Sequence, residues 1–312
     1  MSFGGYMKKY VITATKGRPT EVRVLLDFLF DQEARPDVVY LVGASGSDLP
    51  DVAGHPLLAV ARVELMIAAT PGSTVQRNVA IEALLKDAPD EASGERWFAS
   101  FFDDDFRPHS GWLRQCEALF ETHPNVIGMT GQVLADGVKR GGVSETEALR
   151  YLSGEAPREE HWASGPDRRE AGCAYGCNMA FVDQVIRRCR FDEALPLYGW
   201  QEDYDFTSCA RAFGIVVYEP SCLGVHLGAS KGRTSGVRFG YSQIANPLYL
   251  ARKRTMKRKQ ACKFVSRHVL SNLYHSLRGN GLFDYRGRLK GNLLAFADIL
   301  RGISHPRRIL EL

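Results

Sequence analysis

Three consecutive carboxylates, Asp103, Asp104 and Asp105, follow directly on the apolar segment Trp97-Phe98-Ala99-Ser100-Phe101-Phe102. Carboxylates this close repel one another unless a cation offsets them, and all-oxygen ligands favour a hard divalent ion, Mg2+ or Mn2+. Such an ion usually bridges to phosphates. The apolar segment reads as a buried strand, so the charges sit at its carboxyl edge, where open α/β sheets bind ligands. The first chemistry on offer is therefore a metal–diphosphate site. The competing reading is a solvated turn or the acidic first turn of a helix; Pro108, Ser110 and the amphipathic stretch 111–120 predict a helix soon after.

A second acidic centre occurs at Trp200-Gln201-Glu202-Asp203-Tyr204-Asp205-Phe206. A carboxylate packed among aromatics is held above its ordinary pKa and suits a general base. An acidic helix N-terminus is again the alternative.

The elements that must position these groups alternate. Short apolar runs at 10–14, 38–42, 63–68 and 96–102 predict strands. A helix follows Thr20, which is placed to cap it, and another covers 75–86. Strands alternating with helices predict βαβ units and a parallel sheet. Neither G-x-G-x-x-G nor a Walker loop is present. Further strands are expected at 126–133, 174–182 and 215–219, with a strand-like 222–225 before His226. A short helix is expected within 192–213. Residues 136–167 read as a polar, irregular loop, and the chain is helical from about 235 onward.

The 312 residues, 45% hydrophobic and 24% charged, have an ordinary soluble globular composition. Their number suits one large domain with an appendage, or two domains. No run approaches the roughly 18 apolar residues needed to span a bilayer. Residues 1–10 lack the apolar core of a signal peptide, so a cytoplasmic protein is expected. Seven irregularly spaced cysteines argue against a disulfide framework. The net charge of +4 is uneven: residues 252–263 are densely basic and acidic residues are almost absent from 231–280. That asymmetry points to an anionic partner: a membrane surface, a nucleic acid or a phosphorylated substrate.

Taken in order, Phe102-Asp103-Asp104-Asp105, Gly176-Cys177-Asn178-Met179-Ala180, Tyr198-Gly199-Trp200-Gln201-Glu202-Asp203 and Gly224-Val225-His226 resemble a family 2 glycosyltransferase of the bacterial polysaccharide-biosynthesis type. Ala14-Thr15-Lys16-Gly17-Arg18-Pro19 and Gly72-Ser73-Thr74-Val75-Gln76-Arg77-Asn78 resemble the family's first loop and its Gly…Arg-Asn segment. The resemblance implies an α/β GT-A fold: a Rossmann-like mixed, mainly parallel sheet flanked by helices, with a C-terminal helical appendage. The catalytic domain would cover 8–230, with a nucleotide-binding half at 8–105 and an acceptor half at 106–230. A basic helical region would cover 231–312. The implied activity is metal-dependent, inverting transfer of a sugar from a nucleotide diphosphate sugar to a glycan or lipid-linked acceptor in cell-surface polysaccharide synthesis.

The same resemblance distributes roles. Asp105 binds Mn2+ or Mg2+ directly, with Asp103, and His226 completes the shell. Asp104 helps through the metal, a water or the ribose hydroxyls. Asp203 is the general base and Glu202 orients the acceptor or exchanges roles with it. Thr15, Arg18, Asp48 and Arg77 are candidate nucleotide contacts, although either arginine could instead be a structural ion-pair partner. Lys231 and Arg233 belong to a loop that could close over the diphosphate. Gly176 and Asn178 are candidates to line the donor-sugar pocket, although close backbone approach alone would explain the glycine, and Trp200 is a candidate to stack on an acceptor sugar or to pack in the core. One departure stands out: the family's Asp-rich turn after the second strand is reduced here to a displaced Asp48, so the donor nucleotide is not readable.

Residues 264–277 space their apolar groups as a helix with lysines and arginines on its other faces. This suits peripheral contact with the anionic inner face of a membrane, or packing against the catalytic domain or a second subunit in a homodimer. Two other functions compete. A nucleotidyltransferase acting on a sugar phosphate also uses acidic residues after strands, but 15–19 is a poor triphosphate loop. A nucleic-acid-binding protein would leave the acidic centres unexplained and lacks interleaved aromatics, so no nucleic-acid partner is expected.

Overall fold

In the computed structural model, which describes residues 6–229, 235–279 and 283–312, the predicted alternation holds through the first hundred residues. Strand β1 (Lys8–Thr15) leads to helix α1 (Pro19–Phe30), strands β2 (Val38–Gly43) and β3 (Arg62–Ile67), helix α2 (Ser73–Asp87) and strand β4 (Trp97–Phe102). Strand β5 (Phe106–Pro108), helix α3 (Trp112–Thr122), strand β6 (Val126–Asp136), helix α4 (Glu145–Leu152) and strand β7 (Arg169–Glu170) follow. Strand β8 (Asn178–Val182), helices α5 (Asp183–Arg188) and α6 (Glu202–Ala210) and strand β9 (Ile215–His226) complete the sheet region. Helices α7 (Gly236–Lys253), α8 (Arg258–Arg278) and α9 (Tyr285–Leu300) form the C-terminal part.

The strands make one mixed sheet in the order β3-β2-β1-β4-β8-β6-β9-β5, with β7 also paired to β9. Strands β1, β2, β3, β4, β6 and β9 run in one direction, and β5, β7 and β8 oppose them. All six residues of β4 are buried, because the strand lies between β1 and β8 with both of its faces covered. Its rings pack on other rings: Phe101 lies edge-on to Phe181, Phe191 and Phe206, and Phe102 edge-on to Trp112. Burying each such side chain contributes about 1.5–3 kcal/mol, which rigidifies the strand that carries the acidic triplet.

Three expectations change. Helix α1 starts at Pro19, with Arg18 rather than Thr20 at the capping position and no side-chain cap. Proline at the first turn supplies the helical φ and needs no partner for an absent N–H. The stretch 136–167 is not wholly irregular: α4 sits inside it, opened by a capping box in which Ser144 and Glu147 satisfy each other's backbone N–H. The two strand-like runs before His226 are one strand, β9, whose register against β6 shifts between Gly131 and Gln132.

Candidate active site

The carboxyl ends of β4, β6 and β9 meet at one edge of the sheet, where Asp136 pairs with His226 across β6 and β9, and Phe106 pairs with His226 across β5 and β9. The acidic triplet therefore does not open a helix. It turns the chain from β4 into β5, and its three side chains take different partners.

Asp104 is buried and points back into the sheet. It accepts from Thr15 Oγ1 (2.7 Å) and Arg18 Nη1 (2.7 Å). Burial, with Asp105 beside it, raises its pKa. Asp105 lies near the same arginine (3.3 Å), accepts from the Ala229 N–H (2.7 Å) and sits 3.3 Å from His226 Nε2. Burial disfavours its charge, but His226, Arg18 and the Ala229 N–H win and hold it well below the ordinary carboxylate range. Asp103 is partly exposed and accepts from Arg77 Nη2 (2.9 Å).

Ligand atoms of Asp103, Asp105 and His226 lie within 4.8 Å of one another. Asp105 Oδ1 is buried and faces His226 Nε2 at 3.3 Å, so both atoms lie inside the cluster. Two carboxylates and an imidazole are a donor set that suits Mn2+ and tolerates Mg2+. These residues fit a divalent ion.

Behind His226 stands Asp136, a residue the sequence reading passed over. His226 Nδ1 donates to Asp136 Oδ1 (3.2 Å), while Asp136 Oδ2 is 3.2 Å from His161 Nε2 and 3.0 Å from the Tyr175 hydroxyl. The Val138 N–H closes the set at 3.0 Å. A carboxylate on Nδ1 orients the ring so that Nε2 faces Asp105, where a bound metal would take the place of the Nε2 proton. The available signal was its place: an aspartate that ends a strand at the ligand edge, as Asp103 does.

The second acidic centre is set by a tight loop. Leu197, Gly199 and Gln201 all have positive φ (59°, 64° and 70°). A side chain at Gly199 would meet Ser73 Oγ at 2.8 Å and Glu202 Cγ at 3.0 Å, and its φ is positive, so glycine is favoured there. The loop delivers Glu202 and Asp203 to the first turn of α6. Glu202 is buried and ion-paired with Arg77 Nη1. Burial, with Asp203 and Asp103 nearby, outweighs the arginine and pushes Glu202 up to about 8. Asp203 is half-buried and lines the cleft, accepting from the N–H groups of Gly176 (3.2 Å) and Tyr204 (2.8 Å). Burial raises its pKa against those two N–H groups.

Helix α2 ties the two centres together. Arg77 bonds Glu202, Asp103 and the Gly176 carbonyl (2.9 Å) at once. It is fully ion-paired inside the protein, so its position is that of a bridge between the acidic centres. Gln76 donates to the carbonyls of Thr15 (2.7 Å) and Val42 (2.6 Å), and Asn78 exchanges hydrogen bonds with the backbone of Phe191. The Gly…Arg-Asn segment is thus a bracket whose successive side chains hold opposite sides of the cleft.

The cleft has a volume of about 1120 Å3. Thr15, Arg18, Arg77, Asp103, Asp104, Gly176, Trp200, Glu202, Asp203 and His226 all line it. Two expected contacts lie elsewhere. Asn178 is wholly buried, and its Oδ1 accepts from Trp112 Nε1 (2.8 Å) instead of facing the cleft. Asp48 is buried with both oxygens occupied, by the Gly17 N–H (2.7 Å) and by Ser45, and it joins the first loop to the second. Lys231 and Arg233 lie outside the described residues. His161 and Trp162 form one aromatic wall with Tyr175. Trp200 packs edge-on against Phe239 of α7 and His268 of α8. The C-terminal helices also reach the cleft through Arg238, Phe264 and Arg267.

No family model and no curated protein matches the chain. Solved structures do. The mannosyltransferase PcManGT from Pyrobaculum calidifontis, in complex with GDP-Man and Mn2+, matches with a TM-score of 0.52 at 13% identity, covering 96% of this chain and 88% of its own. S. aureus TarS 1-349, in complex with UDP-GlcNAc, matches with a TM-score of 0.52 at 16% identity, covering 97% and 83%. A second TarS structure matches at 0.52 and 15% identity over 78% of this chain, which spans only 40% of that one. At such identities the likeness is one of fold. The chain has the GT-A-type fold of glycosyltransferases: a mixed, mainly parallel sheet flanked by helices with a helical C-terminal part.

Proposed function

We propose that this chain is a metal-dependent, inverting glycosyltransferase of the family 2 type. It moves a sugar from a nucleotide diphosphate sugar to a hydroxyl of a glycan or lipid-linked acceptor in cell-surface polysaccharide synthesis. One observation supports the reading: Asp103 and His226 line one cleft with Asp105 buried against them, Asp203 faces the same cleft, and Arg77 bonds both Asp103 and Glu202, the neighbour of Asp203. The likeness to structures in complex with GDP-Man and UDP-GlcNAc supports a nucleotide-sugar donor.

A divalent ion held by Asp103, Asp105 and His226 would neutralise the donor diphosphate as it leaves. Asp203 takes the proton of the acceptor hydroxyl. The freed oxygen bonds to the anomeric carbon from the face opposite the diphosphate. The bond from that carbon to the diphosphate oxygen breaks, and its electron pair departs with the nucleoside diphosphate. Glu202, engaged by Arg77, positions rather than accepts the proton. Arg18 and Thr15 hold Asp104 and so brace the turn that presents Asp103 and Asp105.

Thermal shift with UDP, GDP, dTDP and CDP, with and without Mn2+, tests the donor site. A metal-dependent rise with one nucleotide is expected in the wild type and in Asp203→Ala, and its loss in Asp105→Ala. Both variants are expected to lose sugar transfer while remaining folded. Full transfer by both would overturn the proposal.

A further inference from the structure

Helices α8 and α9 pack as an antiparallel pair against α7. Asn272 pins the register, donating to Asn292 Oδ1 (2.8 Å) and Gln243 Oε1 (2.7 Å), and Asn292 donates in turn to the Gly240 carbonyl (2.6 Å). The inner faces are buried through Ala261 and Asn272 on α8 and Gly291, Asn292 and Ala295 on α9. Leu270, Leu273 and Leu277 of α8 and Leu293, Phe296 and Leu300 of α9 are exposed, Leu277 to 81% and Leu300 to 90%. Single exposed leucines are ordinary; six on the outward faces of two adjacent helices mark an interaction surface.

Basic residues predominate around this face, although the exposed Asp284 caps α9. Helix α8 has no acidic residue, and the lone acidic residue of α9, Asp298, is buried against Tyr241 and Arg308. Lys259 and Lys263 continue the leucine stripe of α8 at helical spacing, and Arg278, Lys290 and Arg301 are exposed nearby. A second copy of the chain would bring cations against cations, which disfavours self-association. An anionic bilayer satisfies both features, apolar groups entering the acyl boundary and cations meeting the headgroups.

We infer that the outer face of α8 and α9 docks on an anionic lipid surface. The surface stands independently of the proposed activity, but α8 also turns Phe264 and Arg267 to the cleft. If the glycosyltransferase reading holds, docking places the cleft beside the headgroups and selects the lipid-linked class of acceptor.

The test is flotation of the full chain with vesicles of phosphatidylcholine, alone or with a quarter phosphatidylglycerol. Binding to the anionic vesicles is expected to be about ten-fold stronger and to fall with added salt. A Leu277→Glu, Leu300→Glu double variant, altered only at exposed positions, is expected to keep its melting temperature and nucleotide shift but to lose about ten-fold in vesicle binding. Equal or absent wild-type binding to the two vesicle types would overturn the inference. So would a wild-type dimer by light scattering that the double variant dissociates without any effect on vesicles. The nucleotide shift, read on the same samples, separates this failure from failure of the donor site.

Discussion

Asp105 in the first acidic centre and Glu202 in the second are both buried carboxylates, yet their pKa values are shifted in opposite directions. At the carboxyl end of β4, a guanidinium, an imidazole and a backbone N–H surround Asp105 and keep it ionised. At the N-terminus of α6, burial dominates, and Glu202 and Asp203 both favour the proton more than a free carboxylate does. The balance between desolvation and the charges around each group, not the identity of the side chain, sets the direction of its shift.

The largest expected effect separates the two functions. Asp203→Asn should lower kcat by about a hundred- to ten-thousand-fold while leaving the metal-dependent nucleotide shift intact. A variant that lost the shift as well would erase the distinction between the centres.

Next comes the bridge. Arg77→Met strands two buried or half-buried carboxylates and should destabilise the fold by about 3–5 kcal/mol in denaturant melts. The loss should be larger at pH 8 than at pH 5. The sign follows from Glu202: its folded pKa lies above its ordinary 4.5, so the folded state holds the proton more tightly and stability falls as pH rises through that window to about 8. Removing the arginine widens the window. Adding Glu202→Gln to the same chain should restore much of the stability, because the buried one of the two stranded carboxylates is then neutral.

A smaller effect tests the support of the metal cluster. Asp136→Asn should weaken Mn2+ binding by about ten- to a hundred-fold, read by electron paramagnetic resonance titration without any substrate. The smallest effect is in the pH profile. Because Asp203 must be ionised to accept a proton and its pKa is raised, kcat/KM should climb with pH, by at most about ten-fold per unit, and level off above the usual aspartate range. A profile already flat from pH 4 would assign the base to another group.

Much of the cleft was legible because its parts are local. An apolar run that stops in three aspartates, and two adjacent carboxylates inside an aromatic turn, need no knowledge of the rest of the chain. The capping box of α4 was equally local, yet the polar composition of 136–167 obscured it. Asn178 could not be placed from its motif, since whether it faces a sugar or Trp112 depends on the path of α3. Asp48 was recognisable as an acidic residue after β2, but its oxygens are taken up by Gly17 and Ser45, contacts that a linear reading does not order.

The sequence by itself determined the strand–helix alternation, the buried β4, the positions of both acidic centres and the basic, acid-poor C-terminal helices. Each follows from neighbouring residues, through periodicity, charge and turn chemistry. Only the tertiary structure decided which partners each carboxylate meets. Arg77 reaches Glu202 across 125 positions, His226 meets Asp136 across 90, and Ala229 meets Asp105 across 124. Desolvation and charge pairing act through space at a few ångströms, and it is the closing of the sheet edge that brings those distances about.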